Sequence, residues 1–149
     1  MCVVVFMEIF TDSPEATEKL GASFAASVKR GAPICLYGQL GSGKTKFVQG
    51  LARKLGCKKN TISPSFVLLR SYRLENKVVK ELHHLDLYRL ERQSQLKNIG
   101  IEDLFNNQEA LVVIEWAEKL NKLLPKKRTD VRITIVSEKM RKFNIISFN

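Results

Sequence analysis

The chain has 149 residues, 44% of them hydrophobic and 27% charged, with a formal net charge of +10. That composition is ordinary for a soluble globular protein, and the length sets one domain, residues 1–149, as the expectation. No stretch approaches the 18 or so apolar residues that a membrane helix needs, so membrane insertion is excluded from the working readings. The excess positive charge and a pI near 9.7 favour anionic partners, nucleic acid first. The basic residues are scattered, however, and no nucleic-acid motif organises them, so contact with RNA through the basic surface stays open.

Three cysteines, Cys2, Cys35 and Cys57, form no C-x-x-C pair and imply a reducing compartment, the cytoplasm. The apolar opening from Met1 to Met7 lacks a basic start and a cleavage site, so no signal peptide is expected. Met7 leaves the first six residues as an optional extension. Glu8, Ile9 and Phe10 close a first strand. Ser13-Pro14-Glu15 then reads as N-cap, N1 proline and first-turn acid. Ala16, Leu20, Phe24 and Val28 follow at i, i+4, and Gly31 stops the helix.

Ile34-Cys35-Leu36-Tyr37 is a short apolar run, expected as a buried strand with Cys35 a small core residue. It enters Gly38-Gln39-Leu40-Gly41-Ser42-Gly43-Lys44-Thr45, which fits the phosphate-binding P-loop pattern G-x-x-x-x-G-K-[ST]. The nucleotide-binding run ends at Thr45, and the next residue, Lys46, is given no part in the site. Phe47, Val48, Leu51, Ala52 and Leu55 continue at helical spacing to a stop at Gly56. Strand, glycine turn and helix give the pattern its mechanism. Backbone N–H groups and the helix N-terminus wrap a phosphate, Lys44 reaches the β and γ phosphates, and the Thr45 hydroxyl ligates Mg²⁺.

Asn60 to Ser65 reads as a loop, with Pro64 opposing helix at Ser63. Phe66–Leu74 and Val78–Leu85 are rich in strand formers and predict a hairpin turning at Glu75-Asn76. Leu87–Leu96 reads as a short helix, and Ile99–Phe105 as another small helix or turn. Ala110–Ile114 is a continuous apolar run ending in Glu115, the pattern of a strand buried on both faces. A short helix from Ala117 to Leu124 stops at Pro125. Val131, Ile133, Ile135 and then Phe143, Ile145 alternate with polar residues as a closing hairpin. The predicted architecture is a three-layer α/β P-loop NTPase sandwich, its central sheet mixed and mainly parallel, with a C-terminal β-hairpin.

A P-loop needs a second acid at the carboxyl end of a neighbouring strand, and Glu115 supplies it. His84-Leu85-Asp86-Leu87-Tyr88-Arg89 ends the preceding strand. If that strand lies beside the P-loop strand, Asp86 emerges near the γ-phosphate, either to accept from a metal-bound water or to orient the attacking water. Arg89 either neutralises phosphate charge or pairs structurally with a carboxylate. His83 and His84 alternate across the strand and are poor joint metal ligands. Trp116 is either core or a stacking surface for adenine.

Taken together, Gly38 to Thr45, Ser63-Pro64-Ser65-Phe66, His84-Leu85-Asp86-Leu87-Tyr88-Arg89 and Ile114-Glu115-Trp116-Ala117-Glu118 resemble the TsaE (YjeE) family of small bacterial P-loop ATPases. Two positions depart from its pattern. Gln39 stands where the family usually has an acid or its amide, and Ser65 where it usually has threonine. The resemblance implies an ATPase that acts with the TsaD–TsaB heterodimer in forming N6-threonylcarbamoyladenosine beside the anticodon of tRNAs reading A-starting codons. It implies ATP and Mg²⁺ as cofactors, Lys44 at the phosphates, Thr45 and Glu115 at the metal, Asp86 as catalytic and Trp116 against the base. Apart from the resemblance, the loop Ser63-Pro64-Ser65 and the segment Asp86 to Arg89 are candidate switch-like surfaces able to sense the γ-phosphate, with Ser63, Ser65 and Arg89 as their candidate residues.

The competing readings are a small P-loop kinase, a nucleotide-dependent RNA-binding module and a guanine-specific switch. No lid segment bearing arginines follows Thr45, which disfavours the kinase. Asn121-Lys122-Leu123-Leu124 lacks the acid of N-K-x-D, which disfavours guanine.

Overall fold

In the computed structural model residues 3–149 are described; Met1 and Cys2, at the head of the optional extension, lie outside them. The strands are β1 Val3–Thr11, β2 Ile34–Tyr37, β3 Leu69–Arg73, β4 Glu81–Asp86, β5 Ala110–Glu115, β6 Arg128–Ile135 and β7 Arg141–Phe148. The α-helices are α1 Pro14–Phe24, α2 Lys44–Lys54, α3 Ser94–Asn98 and α4 Ile101–Asn106. All seven strands join one sheet in the order β1-β7-β6-β2-β5-β4-β3. The four central strands β6, β2, β5 and β4 run parallel, and β1, β7 and β3 attach antiparallel at the flanks.

Alternation along the central strands divides the interior into two cores. Ile34, Leu36, Val113 and Val131 face α1 and α2, with Phe47, Val48 and Leu51 completing that layer. Cys35, Tyr37, Val112 and Ile114 face the other way, onto Leu96 of α3, Ile101 of α4 and Leu120. β5 is buried at every position, which is why its sequence is a solid apolar run. Each fully buried Phe or Leu contributes about 1.5–3 kcal/mol relative to exposure. Cys35 is wholly enclosed, and desolvation pushes its thiol up to about 12, so it is an inert core residue.

Helices α1 and α2 approach backbone to backbone. A Cβ on Gly50 would lie 1.8 Å from the Glu18 carbonyl oxygen, so only glycine fits there. This crossing seats α2, and therefore the phosphate loop at its start, rigidly on the sheet.

Several predicted bounds shift, each for a local reason. The first helix ends at Phe24 rather than near Gly31. The Ser23 hydroxyl donates to the Leu20 carbonyl (2.7 Å), and Ala25–Ser27 tighten into a 3₁₀ turn. Val28 still reaches the core from extended chain, which keeps the apolar spacing. The strand expected from Phe66 starts at Leu69. Val67 N–H closes a turn onto the Pro64 carbonyl (3.0 Å), and Leu68 sits at a left-handed φ of 66°. The strand expected from Val78 starts at Glu81, because Asn76 Oδ1 accepts from Val78 (2.8 Å) and Val79 (3.2 Å) and widens the hairpin loop.

The helix expected over Leu87–Leu96 is largely a loop, with α3 beginning only at Ser94. Gln95 Oε1 accepts from the N–H groups of Glu91 (2.9 Å) and Arg92 (3.0 Å), replacing the carbonyls that a helix would offer. The segment after Trp116 is a 3₁₀ run, Ala117–Leu123, broken at Asn121. Finally, β4 is not beside β2. β5 separates them, and Asp86 reaches the site because it lies in register with Glu115 at the strand ends.

Candidate functional site

The P-loop is the turn from β2 into α2. Gly43 takes φ 105° at the position before the helix, a left-handed geometry that an L side chain rarely adopts. Lys44 is the first helical residue and is 5% exposed. Its Nζ donates to the carbonyls of Gly38 and Gln39 (3.0 Å to the latter) and approaches Ser42 Oγ at 3.5 Å. The ammonium is therefore folded onto its own loop. Burial lowers its pKa, while Glu115, Asp86 and Glu118 pull it back up. The Gln39 side chain is exposed, so the departure from the family acid falls at the solvent edge of the loop.

Glu115 ends β5 directly opposite α2. Thr45 Oγ1 donates to its Oε1 (2.9 Å) and Oε2 (3.2 Å), and His84 Nε2 meets Oε1 at 2.9 Å. Asp86, next along the strand ends, accepts from Ser63 Oγ (2.6 Å) and from the Tyr88 N–H (3.0 Å). Two buried carboxylates and a threonine hydroxyl thus converge on the phosphate loop. Among the described residues no three or more His, Cys, Asp or Glu side chains form a metal cage. One threonine oxygen with a nearby carboxylate is instead the donor set that Mg²⁺ takes when phosphates and waters fill its other positions. The residues fit that ion.

Lys46, the residue left out of the predicted site, does border the cleft. Its ammonium, however, lies 4.0 Å from Glu18 Oε2 on α1, so its charge is directed at the helix crossing.

Trp116, at a left-handed φ of 59°, turns its ring over Lys44, with Nζ 4.2 Å from the centroid. Tyr88 also packs on the indole, ring centroids 5.0 Å apart. The indole is partly buried against the second core and lines the cleft. It stands at the phosphate end, beside the lysine. The Arg89 guanidinium does not pair with a carboxylate among the described residues; it stacks on Phe66 at 4.1 Å. Ser63 and Ser65 line the same cleft, as expected of the loop before β3.

The cleft, about 890 Å³, falls within the range of small-molecule sites. From the Asp86 and Glu115 flank it crosses the P-loop to a second wall of Asp12, Ser13, Thr17, Glu138, Lys139 and Arg141. Sequence reasoning missed this wall. It comes from the β1–α1 junction and the β6–β7 turn, which no motif marks and which only the sheet order brings beside the loop. Arg141 even donates to the Gly41 carbonyl (3.3 Å), tying that turn to the phosphate loop.

Residues 11–143 match the family model described as threonylcarbamoyl adenosine biosynthesis protein TsaE. This chain belongs to the TsaE family. The TsaE of Bacillus subtilis is 35% identical, with 83% of this chain and 74% of that one aligned. The TsaE of a Nostoc species is also 35% identical over all of this chain and 91% of its own. The fold agrees as well: the crystal structure of Bacillus subtilis YdiB superposes with a TM-score of 0.80 at 26% identity, covering 100% of this chain and 89% of that one. Family membership assigns the chain to tRNA threonylcarbamoyladenosine biosynthesis. No helix among the described residues is long and apolar enough to cross a membrane.

The indole gives a direct probe. Trp116 is the only tryptophan in the chain, and its ring touches the ammonium that phosphates would draw away. Titration with ADP is expected to change its fluorescence in step with binding followed by calorimetry. Binding without any change would detach Trp116 from the phosphate site.

Proposed function

We propose that this TsaE-family chain binds ATP with Mg²⁺, hydrolyses it slowly alone, and is stimulated by the TsaD–TsaB heterodimer. The observation that carries this reading is the Thr45–Glu115 contact of 2.9 Å beside the Lys44 ammonium at the mouth of a glycine loop. The Ser42 N–H closes a turn onto the Gln39 carbonyl (3.0 Å), and the N–H groups of Gly41, Gly43, Lys44 and Thr45, residues that line the cleft, remain to receive phosphate oxygens. Lys44 exchanges the carbonyls of Gly38 and Gln39 for the β and γ phosphates. Thr45 and Glu115 hold Mg²⁺, which when bound neutralises charge on the phosphate oxygens. The absence of an N-K-x-D segment supports ATP over GTP.

Asp86 is the candidate for orienting the attacking water. In this structure its Oδ2 accepts from Ser63 (2.6 Å), so the switch-like loop shares the oxygen that the water would use. Filling the site therefore competes with the Ser63 bond and loosens the loop. That loop carries Phe66, 81% exposed, stacked on Arg89, so its outer surface changes with the nucleotide state. A partner that reads Phe66 and its neighbours reads hydrolysis.

The test is phosphate release by the purified chain with and without the purified TsaD–TsaB pair. Slow turnover alone and a marked rise with the partners are expected. Replacing Ser65 or Arg89 by Ala should weaken the stimulation more than ADP affinity. Fast turnover that ignores the partners, or phosphate passed to a small acceptor, would replace this reading with the kinase.

A further inference from the structure

We infer that His84 is a positioning residue for the metal carboxylate: it holds Glu115 so that one oxygen stays open toward the phosphate site. The inference rests on the nucleotide reading above and adds a residue to it. His84 lies mid-strand in β4, with no exposed surface, and its Nε2 meets Glu115 Oε1 at 2.9 Å. An ionised carboxylate only accepts, so the proton of this bond sits on His84 Nε2. Oε1 thus receives two short bonds, from His84 and from Thr45 (2.9 Å). Oε2 receives only the longer one from Thr45 (3.2 Å) and keeps lone pairs to offer. Two donors fixed on rigid elements, one on β4 and one on α2, set the plane of the carboxylate before any ligand arrives.

A purely structural histidine would be expected to satisfy both ring nitrogens. Here Nδ1 is buried without a partner, which costs stability. The neighbouring His83 shows the contrast: on the opposite face, it uses Nδ1 toward Ser71 (2.7 Å) and Nε2 toward Glu81 (3.4 Å). The position of His84 favours an apolar side chain, since Leu82 on the same face of β4 is also fully buried. What a leucine there could not do is donate to Glu115.

The experiment compares His84→Phe, which removes the donor at similar bulk, with His84→Gln, whose amide reaches the same oxygen. Mn²⁺ is titrated into each ADP complex, and ADP affinity is measured separately in chelator. His84→Phe is expected to raise half-saturating Mn²⁺ at least tenfold, with metal-free ADP affinity unchanged within threefold. His84→Gln should restore Mn²⁺ affinity to within threefold of the parent. Parent-like Mn²⁺ affinity in His84→Phe overturns the inference, as does equal loss in both variants together with metal-free affinity. Should the Phe variant fail to fold, His84→Asn, whose amide stops short of Glu115, takes its place under the same criteria. Failure of the parent chain to bind ADP at all would instead sink the nucleotide reading.

Discussion

Lys44→Ala is expected to weaken ADP binding at least a hundredfold, about 2.8 kcal/mol, while the chain stays folded. The lysine is a cation buried within the phosphate loop, and desolvation already makes its charge costly to hold there. Without ligand its ammonium is satisfied by the carbonyls of Gly38 and Gln39 and by the face of Trp116. Alanine opens the space beside those carbonyls to the cleft that Lys44 lines, where water can replace the ammonium, so the fold loses little. A phosphate has no such substitute. It would meet the same carbonyl oxygens without the charge that draws it past them. Lys46, two residues on, is not an equivalent cation: its ammonium lies toward Glu18, 4.0 Å from Oε2, and not within the loop. Calorimetry with ADP, alongside a thermal melt, measures both halves of the claim. Unchanged affinity would mean that the glycine loop is not the nucleotide site.

Much of this site was legible before the fold was known, and the reason is local. A P-loop builds its anion site from consecutive backbone, so Gly38 to Thr45 carries its own geometry. Glu115 was legible because a strand buried on both faces reads as an unbroken apolar run, and its terminal acid stands out. The register that sets Asp86 against Glu115 was not legible. It depends on β5 entering the sheet between β2 and β4, a pairing across residues distant in sequence. The wall of Glu138, Lys139 and Arg141 was hidden for the same reason. Side-chain capping misled the reading elsewhere: Gln95 and Asn76 satisfy backbone N–H groups that periodicity would assign to a helix and a strand. Trp116 follows Glu115 in sequence. Its orientation came from a left-handed backbone turn that an aromatic residue seldom adopts.

The two carboxylates should separate binding from turnover. Glu115→Gln and Asp86→Asn are each expected to hold ADP within about tenfold of the parent, roughly 1.4 kcal/mol, and to lose hydrolysis a hundredfold or more. Neither acid touches the backbone cradle of the phosphates, so most of the binding survives. In Glu115→Gln the amide oxygen can still accept from His84 and Thr45, which preserves the local packing. Its NH₂ would then face the proposed Mg²⁺ where an anionic oxygen had been, and the charge balance proposed for the reaction would be lost. In Asp86→Asn the amide oxygen can take the place of Oδ1 and accept from the Tyr88 N–H, while the amide nitrogen in place of Oδ2 can donate to the Ser63 hydroxyl oxygen, so the loop before β3 keeps an anchor. The variant lacks the charge, and the second acceptor oxygen, that would polarise water. Single-turnover phosphate release with saturating ATP reads the chemistry free of product release. Parent-like turnover in either variant would remove that carboxylate from the mechanism. Loss of turnover in Asp86→Asn matched by an equal loss of binding would make Asp86 an anchor of the Ser63 loop and nothing more.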